Sequence, residues 1–398
     1  MNTTQSQPKR FTGELTLFIV VTILAGLATS MFDSIFNNFL DANFALTGFQ
    51  RSFLEFPREI PGFLVLFVSS ALWFFCNRRL GGVSFLLMAV GSILIGFISK
   101  SYAIMVLWLL FYSMGSHLFL PISNIIGMEL AEEGHTGKRL GQLNAFRNAA
   151  IIAGSFFVFL AFKYLNFSFK HTFVVITILF IFAAILMFRM PSQTVKRPKT
   201  FIKLHKEYRL YYILAILYGS RKQLFITFAP WVLVTVFNQP TQTLATLLTI
   251  GGVIGILFQP LLGWAIDHLG ERFVLMAEAF LLIFVCLGFA FGKTLFGEHT
   301  AFLIACVCYL LDQMLMSVNM ARAMYMQKIA IKPEHIRPAL NAGVSIDHIF
   351  SIGIALIGGV IWNEFGYQYV FYMGMLIAGL NFLAALRIKL PSPQQEPV

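Results

Sequence analysis

Gly263-Trp264-Ala265-Ile266-Asp267-His268-Leu269-Gly270-Glu271-Arg272 joins two apolar runs, Leu244 to Ile266 and Phe273 to Phe291, each of the length a helix needs to cross a bilayer. The glycines permit a tight reversal between two helices, and the Asp267 carboxylate can cap a neighbouring helix N-terminus. A chain that turns back so quickly between such runs is a helical membrane protein. A transmembrane barrel is excluded, because its strands alternate apolar and polar residues instead of running continuously apolar.

The rest of the chain agrees. Of 398 residues, 58% are apolar and 12% charged, where soluble domains carry about 25% charged. This excludes a soluble enzyme of ordinary surface. At roughly 33 residues per helix and loop, there is room for about twelve crossings. The apolar runs predict spans at Glu14 to Leu40, Phe53 to Cys76, Val83 to Ser99, Ala103 to Met128, Leu143 to Phe162 and Phe173 to Phe188. They resume at Leu210 to Phe237, Leu244 to Ile266, Phe273 to Phe291, Ala301 to Met326, Ala339 to Trp362 and Val370 to Leu386. The one long polar connector, Arg189 to Arg209, implies a six-helix half over 1–188, a basic linker over 189–209 and a second six-helix half over 210–398.

The net charge of +11 follows from topology, with no nucleic-acid partner needed. With the N-terminus inside, the outer loops hold only Lys100, Lys163, Lys170 and Lys293, while the linker alone carries Lys196, Arg197, Lys199, Lys203 and Lys206. The positive-inside bias therefore places both termini in the cytoplasm, in a multi-pass protein of a bacterial inner membrane. Lys9 and Arg10 precede the first span without a cleavage pattern, so that span is read as uncleaved. The four cysteines show neither zinc spacing nor a disulfide framework, and no metal or cofactor is expected.

A shift of 189 positions superposes Leu80-Gly81 on Leu269-Gly270 and Gln50 on Gln239, and Leu143-Asn144-Ala145 is echoed by Leu340-Asn341-Ala342. These matches fall at equivalent points, as a duplicated six-span unit would leave them. With this repeat, the twelve spans and the central basic loop, the stretch Gly263 to Arg272 resembles the loop motif of the major facilitator superfamily: glycine, small apolar pair, aspartate, second glycine, basic residue. The resemblance implies two pseudo-symmetric helical bundles working by alternating access, with spans 1, 4, 7 and 10 lining a central cavity. In it, Gly263, Asp267, Gly270 and Arg272 would latch the cytoplasmic side. The first-half copy departs from the motif, with Arg78 in place of the acid, Val83 in place of the basic residue, and Gly81 retained. Ala153-Gly154-Ser155-Phe156 in span 5, and Phe111 before Gly115, also depart from the drug-antiporter pattern.

Candidate site residues are the ionisable and amide groups inside spans, since a charge at the bilayer centre costs about 2.5 to 3.5 kcal/mol and faces protein or water. In span 1, Thr22, Gly26, Thr29, Asp33 and Asn37 share one helical face. In span 7, Arg221 and Lys222 have no adjacent acid and need an anion from protein or substrate. With His117, Asn37, Asn124, Arg147 and Asn319 they form the expected substrate-binding set; Asp33, Asp312, Asp347 and His348 are the proton-coupling candidates. Asp312 and Asn319 share a face by seven-residue spacing, and Glu278 is read as structural. In span 2, Arg51, Glu55, Arg58 and Glu59 form a charge network, structural or acting as a gate that pairs with span 11.

Two fixed cations with protonatable acids suit an organic anion or zwitterion, moved by a proton-coupled secondary transporter that works as a monomer. The alternatives are efflux of amphipathic drugs, favoured by Phe- and Met-rich walls, and a non-transporting receptor or scaffold. An enzyme is not expected: no HExxH or GxSxG occurs, and Gly288 to Thr294 falls one residue short of a phosphate loop. Reporters fused within the Arg189 to Arg209 connector and at the C-terminus should both read cytoplasm, and an outer signal at either point contradicts the charge bias.

Overall fold

The computed structural model describes residues 8–71, 76–132, 135–191 and 205–389, and every regular element among them is helical. In hydrocarbon each backbone N–H and C=O must find its partner within the segment, which is why apolar runs of this length become helices. The first half contributes α1 (Pro8–Phe44), α2 (Gly48–Phe53), α3 (Glu55–Ala71), α4 (Asn77–Ile98), α5 (Tyr102–Glu129), α6 (Thr136–Tyr164) and α7 (Phe169–Arg189). The second contributes α8 (Arg209–Thr235), α9 (Thr241–Leu295), α10 (Glu298–Met316), α11 (Asn319–Ile329), α12 (Pro333–Phe365) and α13 (Tyr367–Leu386). Among the described residues, nine helices are long and apolar enough to span a membrane. Connector residues 192–204 lie outside the described residues.

Four spans differ in detail from the sequence reading. Span 2 is broken at Leu54 between α2 and α3, where Thr47 starts α2 by a capping box with Gln50. Spans 8 and 9 run together as α9, which is interrupted at Gly270 by φ 81 and ψ 159. That backbone region strains any residue with a Cβ, so the motif's second glycine is required for the turn. Span 10 is split at Ser317 and Val318 into α10 and α11.

Close contacts divide the chain into two compact units. The first comprises Met1–Ala45, Ile60–Pro198 and Pro240–Gly252; the second comprises Leu46–Glu59, Lys199–Gln239 and Val253–Val398. In the first unit α4 packs on α5 and α7, and α1 on α6 and α7. The α1/α6 contact is backbone-close: a Cβ at Gly26 would lie 2.9 Å from the Arg147 carbonyl oxygen and the Ala150 methyl, and one at Gly154 2.7 Å from the Leu27 oxygen. Ser30 Oγ donates to the Ile151 carbonyl at 2.6 Å across the same seam. Small residues at a membrane helix contact let backbones approach, since no hydrophobic force drives association there. The segment Pro240–Gly252 joins this unit through Thr249, whose hydroxyl lies 2.9 Å from that of Ser155.

In the second unit α8 packs on α12 and α13, and α2 lies on α12. The Phe49 N–H donates to Asn363 Oδ1 at 3.3 Å, and the face of Phe289 stacks on Phe371 with centroids 4.6 Å apart. Tyr208, Leu214, Ile266, Leu275 and Met326 form part of a buried apolar cluster at one end.

Gly154→Leu should therefore separate α1 from α6, lowering stability by about 1 to 3 kcal/mol as an overpacked contact. A drop in the thermal midpoint of purified protein checks it; an unchanged midpoint contradicts the seam.

Candidate functional site

The first unit encloses a cavity of about 420 Å³ between α1, α4, α5 and α6. Thr22 and Thr29 from α1, Ser116, Ser123 and Asn124 from α5, and Asn144 and Arg147 from α6 provide its polar lining. Phe18, Phe85, Met88 and Phe119 form apolar walls. Three- and four-residue spacing puts Thr22 and Thr29 on one stripe of α1, and Asn144 and Arg147 one turn apart on α6. Arg147 makes no hydrogen bond or ion pair among the described residues; the acid whose charge reaches it is Asp33. Asp33 is exposed and Asn37 is buried at 7%. His117 turns back onto its own helix, with Nδ1 3.0 Å from the Ser113 carbonyl oxygen.

The second unit contains two ion networks. In the deeper one, Arg221 on α8 donates to Asp312 Oδ1 on α10 at 2.7 Å and to Glu278 Oε1 on α9 at 3.3 Å. Arg322 on α11 donates to Glu278 Oε2 at 2.5 Å, and its guanidinium lies 4.5 Å from the Tyr218 ring centre. All four charged groups are at most 2% exposed. Of the two sources left open for the anion that Arg221 needs, protein or substrate, the protein supplies it: its acids come from positions 57 and 91 residues away. The face shared by Asp312 and Asn319 is also corrected. The break at Ser317 and Val318 interrupts the helical period, leaving Asp312 buried and Asn319 exposed.

In the second network, Lys222 Nζ lies 2.9 Å from both Asp347 carboxylate oxygens, and Ser351 Oγ donates to Asp347 Oδ1 at 3.0 Å. Beside Asp347 on α12, His348 Nδ1 meets Glu59 Oε2 of α3 at 2.5 Å. Arg51 donates to Glu55 at 2.7 Å and Arg58 to the same carboxylate at 3.1 Å, the i,i+4 and i,i+3 pairs expected on one face. Span 2 thus meets span 11 through Glu59 and His348.

At the loop motif, Asp267 and Arg272 are exposed and form no hydrogen bond or ion pair among the described residues, and Gly263 has open space around it. The ion pair at this corner is Glu271 with Lys328 of α11, at 2.5 Å and with the glutamate side chain fully buried. Among the described residues, the ion pair at this corner is thus made by Glu271 and not by Asp267 or Arg272. In the first half Arg78 reaches Glu14 at 2.6 Å and Glu129 at 2.7 Å, tying α4 to α1 and α5. An arginine in place of the motif acid is accommodated because two acids from other helices meet it.

The sequence profile described as Major Facilitator Superfamily matches residues 18–342. The chain belongs to the Major Facilitator Superfamily. It is a multi-pass integral membrane protein with the fold of that superfamily's transporters. No curated protein sequence matches it. Among solved structures it is similar to a mutant of the nucleoside transporter NupG, with 12% identity, TM-score 0.77, and coverage of 94% of this chain and 99% of that one. It is also similar to a D-xylose-proton symporter, at 16% identity, TM-score 0.67 and coverage of 94% and 95%. A bacterial homologue of the iron transporter ferroportin in an inward-facing state matches at 13% identity and TM-score 0.73, with 96% and 99% covered.

Within this superfamily fold, Arg147 and Asn124 are brought together at one cavity. Arg221, Lys222, Asp312, Asp347 and His348 are engaged in networks of the second unit, and His117 bonds within α5. Sequence reasoning passed over Glu271, Ser116 and Ser123. The signal for Glu271 was its place directly after the turning glycine; Ser116 and Ser123 repeat at seven residues on α5.

Removing one partner of the deep network leaves a buried unpaired charge, at a cost of about 3 to 5 kcal/mol. Glu278→Gln should therefore lower the yield of folded protein and its thermal midpoint, whereas Arg147→Gln should leave both near wild type. Equal midpoints for the two variants contradict this division.

Proposed function

We propose that the protein is a proton-coupled secondary transporter of a small organic anion, bound at Arg147 in the cavity of the first unit. The observation that carries this reading is a contrast in partners. Arg51, Arg58, Arg78, Arg221, Lys222 and Arg322 each have a protein carboxylate within 3.3 Å, whereas Arg147 has none among the described residues. Arginine cannot shed its charge, and its planar fork matches a carboxylate through two parallel hydrogen bonds. An unpaired arginine facing a polar cavity is thus a receptor for an anion from outside the protein. The earlier assignment of that role to Arg221 and Lys222 gives way to a structural one.

Proton coupling follows from Asp33. Its carboxylate and a bound anion compete for the field of one guanidinium, so protonating Asp33 removes a like charge and favours anion binding. Linkage makes the effect reciprocal, and anion and proton load together. Glu59 with His348 ties the segment Leu46–Glu59 to α12, Asp347 with Lys222 ties α12 to α8, and the two pairs serve as the gate. We place the protein in the cytoplasmic membrane with both termini inside, acting as a monomer. The proton-coupled sugar carrier among the structural neighbours makes such coupling compatible with the fold.

The test is flux in proteoliposomes under an imposed pH gradient, over a panel of organic acids, amino acids, sugars and amphipathic drugs. An organic acid should be accumulated by wild type, lost in Arg147→Gln, and exchanged but no longer accumulated in Asp33→Asn. Wild-type accumulation by Arg147→Gln overturns the site, and transport confined to neutral sugars or drugs overturns the substrate class.

A further inference from the structure

The hydroxyls of the cavity all donate their protons elsewhere. Thr22 Oγ1 donates to the Phe18 carbonyl at 2.8 Å and Thr29 Oγ1 to the Ala25 carbonyl at 2.8 Å. Ser116 Oγ donates to the Ser113 carbonyl at 3.1 Å and Ser123 Oγ to the Leu120 carbonyl at 3.0 Å. Such back-bonding to the preceding turn is the usual way a helix in lipid satisfies a hydroxyl, and it uses the single proton the group has. Whatever hydrogen bond these four oxygens make to a bound molecule, they must accept it. On α6 the polarity is reversed, because Arg147 donates only and the neighbouring Asn144 amide adds two further N–H groups. Across the cavity, Asn124 on α5 offers one acceptor and two donors.

We infer that the cavity takes a carboxylate monoanion whose other polar groups are O–H donors. This deepens the preceding proposal and rests on its assignment of Arg147. The carboxylate lies against Arg147 and Asn144, and hydroxyl groups on the rest of the molecule donate to the α1 and α5 oxygens. The body lies against Phe18, Phe85 and Phe119, whose ring faces suit the C–H faces of a hydroxylated ring or chain. One anionic charge is the limit, because among the described lining residues Arg147 is the only cation, and a second carboxylate would stay unpaired. A zwitterion is disfavoured, because the described lining residues include no carboxylate to meet an ammonium group. A cavity of about 420 Å³ is large enough for a molecule of this kind.

Matched probes test the inference at fixed charge. Binding of quinate is compared with cyclohexanecarboxylate, and of gluconate with hexanoate, by calorimetry on the purified full-length protein in nanodiscs. Sorbitol serves as the neutral polyol and glucarate as the dianion. At least one hydroxylated acid should bind about tenfold or more tighter than its deoxy partner, the gain expected of one to two accepted hydrogen bonds. Sorbitol should not bind, and glucarate should bind more weakly than gluconate. The double variant Ser116→Ala with Thr29→Val should weaken the hydroxylated acid and leave its deoxy partner unchanged; if that variant does not fold, the wild-type pairs still decide. Equal affinities within both pairs, binding of sorbitol, tighter binding of glucarate, or no binding of either hydroxylated acid each overturns the inference. Loss of carboxylate binding in Arg147→Gln together with equal affinities within the pairs overturns only the donor requirement. Unchanged carboxylate binding in Arg147→Gln overturns the site itself.

Discussion

Charge inside a hydrocarbon slab has to be neutralised close at hand, and the helices of this protein are arranged around that requirement. Removing a charge from water costs several kcal/mol, which an opposite charge at contact distance and good hydrogen bonding offset. Arg221 is met by Asp312 and Glu278, Arg322 by Glu278, Lys222 by Asp347 and Arg78 by Glu14 and Glu129. Each pair joins different helices, so neutralisation also sets which helices are neighbours. The deep cluster holds α10 and α11 on the same partners although the helix breaks between them. Arg147 stands apart from this pattern: among the described residues it makes no ion pair, and it lines the cavity of the first unit.

The two halves of the sequence meet the same demands by different means. At the turn after the second span, the first half places a buried arginine between two glutamates. At the equivalent turn the second half uses Gly270 at positive φ, followed by a buried Glu271 that meets Lys328. Both solutions tie a helix end to its neighbours, with the polarity inverted. The difference extends to the interiors: the first unit holds a polar cavity lined by Arg147, which makes no ion pair among the described residues, and the second holds closed ion networks.

Much of the fold was legible because hydrophobic runs in lipid have one structural solution. Among the described residues the expected spans lie on helices, with the breaks noted above, and Gly270 turns where its motif reading put it. The pairs Arg51 with Glu55 and Glu55 with Arg58 were legible too, since they depend only on local helical spacing. Asn124 and Arg147 were recognisable as intramembrane polar groups. The break that separates Asp312 from Asn319 was not legible, because no proline or glycine marks it and apolar composition continues through it.

The sequence by itself determined that the chain crosses a membrane many times as helices, and which ionisable residues lie within it. It did so because composition and period act locally, over a turn or a span. Which charges are neutralised was decided only by tertiary structure. Arg221 and Arg147 look alike in sequence, each an arginine in an otherwise apolar or amide-bearing span with no adjacent acid. Packing brings two carboxylates from other helices to the first and leaves the second facing a cavity. The proton of each cavity hydroxyl is likewise committed by helix geometry to the preceding turn, while the convergence of those oxygens on one space depends on α1, α5 and α6 meeting there. Helical contact between distant segments, which no local pattern encodes, is therefore what separates a charge paired within the protein from one that lines a cavity.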